Sequence, residues 1–120
     1  MSQYLLLLYD EPSGVERFRK LPPDQMQKAM QQYLDWTNKS RQAGFYVASN
    51  KLTNDTGRVV RSGSGRPVVT DGPFSESKEL LGGYYLIEAS SYDEAFQRIQ
   101  DHPHFAHGGT IAIRQVESLR

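Results

Sequence analysis

Short, dense runs of apolar residues predict the β-strands of this chain. The first run, residues 4–9, is continuously apolar and does not alternate with polar positions, which is typical of a strand buried on both faces. A cluster of turn-forming residues at 10–14 is expected to end it. Further runs predict strands at residues 45–48, 84–89 and 110–116.

Two other segments carry apolar residues at steps of three and four, which predicts helices. The first, residues 23–43, has Pro23 in its first turn and Gly44 just beyond its end. The second follows a capping box from Ser91 to Glu94 and stops near Pro103. The predicted buried stripes are Met26, Met30, Tyr33, Leu34 and Thr37 in the first helix and Tyr92, Ala95, Phe96 and Ile99 in the second.

A β-hairpin is predicted in the middle of the chain, at residues 58–61 and 67–70. The elements then run strand, helix, strand, hairpin, strand, helix, strand. Two split βαβ units in this order predict an α+β, ferredoxin-like fold with an inserted hairpin. At 120 residues the chain has the usual size of one domain, and we expect a single domain over residues 1–120.

The apolar strands also predict self-association. Two helices cover one face of the sheet, yet the first strand and residues 84–87 offer apolar side chains to both faces. A surface of that kind exceeds what a monomer normally exposes. We expect a symmetric homodimer that buries either the face carrying Tyr4, Leu6 and Leu8 or the opposite face, which carries the residues that alternate with them. Coverage by the hairpin or by the tail is the alternative.

Composition excludes several classes of function. The formal net charge is zero, with 14 basic and 14 acidic residues, which argues against nucleic acid or an anionic membrane as partner. The chain has no cysteine, which excludes disulfides and thiolate chemistry. No segment is long and apolar enough for a signal peptide or a membrane span, so we expect a cytoplasmic protein.

One segment carries a family resemblance. It comprises residues 69–74 with the order Val-Thr-Asp-Gly-Pro-Phe, then Glu76, Lys78, Glu79 and the Gly-Gly-Tyr of residues 82–84. This pattern resembles the DGPF signature of the YCII-related domain family, and the similarity extends from the leucine-rich start to the closing strand around Arg114. The resemblance implies a dimeric α/β barrel of ferredoxin-like domains and a cleft that includes the Asp of the signature. It leaves the reaction undefined.

Asp71 is the leading candidate for catalysis. A carboxylate beside apolar strands is able to move a proton at neutral pH, but an Asp before Gly-Pro is equally suited to capping its own turn. The resemblance suggests Glu76, Lys78 and Arg114 as ligand-binding candidates, of which Lys78 would hold an anionic group. The hairpin adds Arg61 as a second anion-binding candidate, and Tyr84 is a candidate for lining the cleft. Solvated surface charge is the alternative for the hairpin arginines and the Glu–Lys pair.

All three histidines lie close together, at positions 102, 104 and 107. They lack the helical scaffold of a known metal motif, so we expect an ordinary surface loop and no metal. His102 is the best placed of them to meet Asp71 and form an acid–base pair.

Three functions therefore stay open. The favoured one is a small-molecule enzyme that uses acid–base chemistry without a cofactor near Asp71. The alternatives are a dimeric module that binds a small ligand without turnover, and a regulatory domain that binds another protein. A polar cluster beside apolar strands favours the first.

Overall fold

The computed structural model describes residues 1–72 and 79–119. Glu76 and Lys78 lie outside the described residues. In chain order the elements are β1 (Ser2–Asp10), α1 (Pro12–Arg19), α2 (Pro23–Gln42), β2 (Tyr46–Lys51), β3 (Arg58–Ser62), β4 (Pro67–Asp71), β5 (Leu80–Ala89), α3 (Tyr92–Ile99), α4 (Pro103–Ala106) and β6 (Thr110–Gln115).

Four strands form one antiparallel sheet in the order β2-β5-β1-β6, and β3 and β4 form a separate two-stranded sheet. The first and last strands of the chain are thus neighbours, as they are when two split βαβ units interlock. The fold is a mixed α+β architecture consistent with the predicted ferredoxin-like class. The six predicted strand positions and the two predicted helices, α2 and α3, are confirmed.

The core lies between the sheet and the helices. In β1 the side chains of Tyr4, Leu6 and Leu8 are buried, and their neighbours in β5 alternate in the same way. These side chains pack with Trp36 of α2 and with Ile99 of α3. The two-residue period of a strand therefore fixes which half of the continuous apolar run faces the helices.

The predicted helix stripes were partly wrong. In α2 the buried residues are Ala29, Trp36 and Ser40, whereas Met30 and Leu34 are 42% and 56% exposed. Small side chains let the helix approach the sheet, and the large indole of Trp36 then fills the core. In α3 the prediction holds for Ala95 and Ile99 but not for Tyr92 and Phe96, which are exposed.

Two short helices were not predicted. The helices α1 and α4 each begin with a proline, at Pro12 and Pro103. Both prolines were interpreted only as parts of turns or stops. Proline is also favoured in the first turn of a helix, where its missing N–H costs nothing.

The second face of the main sheet, which we call the open face, points away from the core. Cross-strand pairing places its apolar residues side by side, with Leu5 next to Leu86 and Leu7 between Tyr84 and Ala112. All are half-buried. Of the two faces considered for the dimer, the one with Tyr4, Leu6 and Leu8 is already buried within the chain.

The hairpin arm, residues 58–71, stands apart from this body. Its strands pack chiefly against each other, and nearly every residue in them is exposed. A compact chain of this length has a radius of gyration of about 14 Å, whereas here it is 16.3 Å. The projecting arm accounts for an expanded outline of that kind.

No helix in the described part of the chain is long and apolar enough to cross a membrane.

Candidate functional site at the end of the central strands

The three histidines converge on one tyrosine. The ring of Tyr33 lies 5.7 Å from that of His102, 6.2 Å from that of His104 and 6.0 Å from that of His107. The expectation of an ordinary surface loop was wrong, because His102 and His104 are only 2% and 3% exposed. The loop instead folds as α4 and places two imidazoles in the interior.

His104 is held through both ring nitrogens. Its Nε2 lies 2.9 Å from the backbone oxygen of Tyr9, and its Nδ1 lies 3.0 Å from the hydroxyl of Tyr33. A carbonyl oxygen only accepts, so neutral His104 carries its proton on Nε2 and accepts from Tyr33 at Nδ1. Two secondary elements far apart in sequence thereby fix the orientation and the tautomer of one imidazole.

Asp10, the last residue of β1, faces the same imidazole. Its Oδ1 is 3.8 Å from His104 Nε2, and its side chain is 32% exposed, against 4% for His104. The carboxylate therefore connects the buried imidazole with solvent. Of the two groups, Asp10 is the one that a ligand reaches.

Two glycines make room for this pair. A Cβ on Gly109 would lie 2.1 Å from His104 Nε2, and a Cβ on Gly82 would lie 2.8 Å from Asp10 Oδ2. Real Cβ atoms do not approach that closely, so the imidazole rests directly on the glycine backbone. The double glycines of the sequence thus serve the site through close packing.

A second carboxylate lies at the same edge of the sheet. Glu79 directly precedes β5, and its Oε1 accepts a hydrogen bond from the hydroxyl of Thr110 at 3.4 Å. Thr110 pairs with Tyr9, and Leu80 pairs with Asp10. Strand pairing therefore brings Asp10 and Glu79 to one end of the sheet.

Tyr33 is kept neutral by its surroundings. Burial, the negative charge of Asp10 and the neighbouring Tyr85 all raise the pKa of Tyr33 above its ordinary value. A phenol with a raised pKa keeps its proton at neutral pH. Tyr33 is accordingly a donor to His104 in the resting protein.

His102 has a different role from His104. Its Nδ1 accepts a hydrogen bond from the backbone N–H of His104 at 3.0 Å, which caps α4. The ring packs against Trp36 at 4.5 Å and Tyr85 at 5.0 Å. Burial first, and then the charge of His104, lower the pKa of His102 to about 4. This histidine is neutral at pH 7, and its buried Nε2 has no hydrogen-bond partner among the described residues.

The predicted site residues are spread over several places. Asp71 ends β4 opposite Arg58 on the hairpin arm and is exposed, and Arg61 pairs with Val68 on the same arm. Tyr84 accepts a hydrogen bond from Asn50 on the open face at 2.8 Å. Arg114 is exposed beside Leu5.

The rings around His102 are those of Tyr33, Trp36, Tyr85 and His104. The pairing of His102 with Asp71 stays a prediction.

The sequence interpretation missed Asp10 and Tyr33 as site residues. Asp10 was assigned to a turn and Tyr33 to a helix stripe, because nothing in the sequence shows that β1 ends beside α4. One signal was available, namely a charged residue directly after a fully apolar strand.

A cavity of about 270 Å³ lies elsewhere, between the ends of α2 and α3. It is lined by Trp36, Phe45 and Arg98, and Lys39 forms an ion pair with Asp101 at its edge. Arg98 is already bound to Glu94 and to the backbone oxygen of Glu88. Lys39, Arg98 and Asp101, the charged residues that line the cavity, thus already have charged partners, so we do not regard this cavity as the primary site.

The described residues hold no group of three or more potential metal ligands. His104 is already bonded at both nitrogens.

The fold and the site define a small mixed α+β protein, consistent with a ferredoxin-like fold, with a polar cluster at one end of its central strands. The chain belongs to the YCII-related domain family, whose profile matches residues 2–120. An uncharacterised protein of Rhizobium meliloti (strain 1021) is 31% identical over 99 residues, covering 82% of this chain and 77% of that protein.

Among solved structures, the chain is similar to 5-chloro-2-hydroxyhydroquinone dehydrochlorinase (TftG) of Burkholderia phenoliruptrix AC1100, solved as a complex with 2,5-dihydroxybenzoquinone. The TM-score is 0.54 at 13% identity, over 96% of this chain and 93% of that one. At this identity the similarity supports the fold alone.

Proposed function

We propose that this protein is a small-molecule enzyme that uses acid–base chemistry at the end of the central strands, with Asp10 as the group that exchanges a proton with the substrate. One observation carries the proposal. A solvent-reaching carboxylate lies 3.8 Å from a buried imidazole whose orientation is fixed by hydrogen bonds at both ring nitrogens. A charged group with a fixed neighbour, open to solvent on one side, is what general acid–base catalysis requires.

In this proposal His104 is a positioning residue. It is too deeply buried to touch a substrate, but its Nε2 lies 3.8 Å from the Asp10 carboxylate and borders the side of Asp10 that faces away from solvent. When Asp10 takes a proton from the substrate, the Nε2–H keeps its bond to the oxygen of Tyr9, so the imidazole does not have to move. Asp10 then returns the proton to the product or to water.

The structural neighbour supplies a probe. TftG is a dehydrochlorinase solved with a dihydroxybenzoquinone, and removal of HCl requires a base. We propose small hydroxylated aromatic or quinonoid compounds as the first substrates to test. The predicted roles of Asp71 and His102 in catalysis and of Arg61, Glu76, Lys78, Tyr84 and Arg114 in binding remain part of the proposal, and Asp71 is tested beside Asp10.

The experiment compares Asp10→Asn with Asp71→Asn. Both substitutions keep the shape of the side chain and remove the proton acceptor. Exchange of solvent deuterium into hydroxyquinones, including 2,5-dihydroxybenzoquinone, is followed by NMR above the protein-free rate. Asp10→Asn is expected to lower the catalysed rate by about two to four orders of magnitude with an unchanged melting temperature.

The response of Asp71→Asn decides between the two carboxylates. If only that variant loses the rate, the site lies at the hairpin base and our assignment of Asp10 is wrong. If the wild-type protein binds 2,5-dihydroxybenzoquinone but catalyses no deuterium exchange into any of the hydroxyquinones, the binding-module alternative is favoured. That alternative has one observation of its own, since both nitrogens of His104 already have protein partners.

We further propose that the protein acts as a homodimer in the cytoplasm. The half-buried leucines and the tyrosine of the open face support the dimer, because a contiguous apolar face is normally covered. Two copies related by a two-fold axis would bury both open faces and give the dimeric barrel that the family resemblance implies.

A further inference from the structure

The hairpin arm has one face that nothing in its own chain covers. Cross-strand pairs and residues two apart share a face, which groups Arg58, Val60 and Ser62 with Pro67, Val69 and Asp71. All six are exposed, and Val60 and Val69, directly opposite each other, are 61% and 54% exposed. We call this surface the valine face.

An isolated two-stranded hairpin is marginally stable in water. This one shares no sheet with the rest of the chain, and its paired valines add apolar surface where solvated hairpins carry polar residues. The other face of the arm differs, because Val59 and Gly63 on it are half-buried. Val68 on that other face is nevertheless 50% exposed, so the valine face is the more exposed of the two and the one on which two valines lie directly opposite each other.

Charge indicates which partner fits. The arm carries three arginines and one aspartate, a net charge of +2, and the total of zero leaves −2 for the rest of the chain. A basic arm on an acidic body is complementary to a second copy of the same chain. In chain order the arm follows β2 and precedes β5, two strands that pair with each other in the main sheet.

We infer that the hairpin is an exchanged arm, whose valine face packs on a second copy of this chain and extends the interface formed by the open face. Each protomer gives one arm and receives one, as two-fold symmetry requires. The Arg58–Asp71 pair lies on the same face, so the arm carries this pair onto its partner. The inference rests on the dimer of the proposed function.

A matched pair of substitutions tests the inference. Val69→Asn changes the valine face, whereas Val68→Asn changes the neighbouring residue on the opposite face, which is similarly exposed at 50%. Sedimentation equilibrium is expected to show that Val69→Asn raises the dimer dissociation constant by about 30-fold or more, since the substituted valine is lost twice in a two-fold dimer. Val68→Asn should stay within about threefold of the wild type.

Cross-linking then shows which chain the arm contacts. The sequence has no cysteine, so Val60→Cys takes a benzophenone maleimide at one position only. This labelled protein is mixed with an excess of affinity-tagged wild-type chain and irradiated. We expect a covalent product that contains one labelled and one tagged chain.

The other outcomes separate the two proposals. A dimer whose dissociation is equally unaffected by both asparagine substitutions, or whose label reacts only within its own chain, overturns the exchanged arm and leaves the open-face dimer intact. A wild-type protein that is monomeric at tens of micromolar overturns the arm and the dimer together. The acid–base site is judged independently, by the Asp10→Asn comparison.

Discussion

At the scale of single residues, His102 and His104 illustrate how neighbouring imidazoles come to differ. The Nδ1 of His102 accepts a hydrogen bond from the backbone N–H of His104, and the ring packs against Trp36 and Tyr85, so this histidine caps a helix inside the core. His104 lies beside a carboxylate and a phenol, which are groups that exchange protons. Packing and capping thus give His102 a structural role, and its neighbouring carboxylate and phenol make His104 part of the candidate site. A catalytic role of His102 stays a prediction.

Burial of neutral His102 makes stability depend on pH. Its pKa is about 4 in the folded protein and about 6.5 when unfolded, so the unfolded chain binds the extra proton first. The contribution of neutral His102 to the free energy of unfolding is complete above pH 6.5. It is lost as the pH falls to about 4, which lowers the free energy of unfolding by at most about 3 kcal/mol. Urea unfolding at pH 7.0, 5.5 and 4.0 measures this loss.

His102→Asn provides the comparison, because asparagine also caps a helix but does not titrate. The variant is expected to be less stable at pH 7, since the ring contacts are lost, but to lose less stability between pH 7 and 4 than the wild type. Equal losses in the two proteins would show that His102 is not the titrating group.

At the scale of elements, the same apolar strand, β1, contributes side chains to the open face of the sheet and to the face that is buried against the helices. Leu7 of β1 lies between Tyr84 and Ala112, with Leu5 and Leu86 beside them. A positive charge in the middle of this row would have to be buried if two open faces pack together.

Leu7→Lys is therefore expected to abolish the dimer at low micromolar concentration, as judged by light scattering. The control is Leu34→Lys, on the outer side of α2, where the leucine is 56% exposed. The control should remain dimeric and fold normally. If both variants stay dimeric, the interface lies elsewhere; a far-UV spectrum verifies that Leu7→Lys is folded.

Sequence patterns gave the elements more reliably than the faces. The strands, the hairpin and the helices α2 and α3 follow from local periodicity and turn chemistry. The buried stripe of α2 does not, because burial of Trp36 and exposure of Leu34 depend on how closely the helix approaches the sheet. The Asp10–His104 pair could not be predicted either, since it joins residues 94 positions apart through a strand end and an unpredicted helix.

At the scale of the whole molecule, the chain divides into a body with a continuous core and an arm that adds nothing to that core. All residues of the hydrophobic cluster come from the main sheet and from α2 and α3, or lie next to them. The two ends of the arm lie next to each other, because the backbone N–H of Gly72 donates a hydrogen bond to the backbone oxygen of Gly57 at 3.0 Å. The core that stabilises the fold thus lies wholly in the body, whereas the role proposed for the arm is contact with a second copy.

This division predicts the effect of removing the arm. Because Gly57 and Gly72 already meet, residues 58–71 can be replaced by two glycines without pulling β2 and β5 apart. The melting temperature of the isolated body, measured at a concentration where both proteins are monomeric, is expected to change by no more than about 4 °C, because a loss near 1 kcal/mol shifts a domain of this size by about that amount. The shortened chain should still form the dimer of open faces, but more weakly than the full chain. A large drop in melting temperature would show that the arm belongs to the folding unit, and dimerisation as strong as in the full chain would show that the arm takes no part in association.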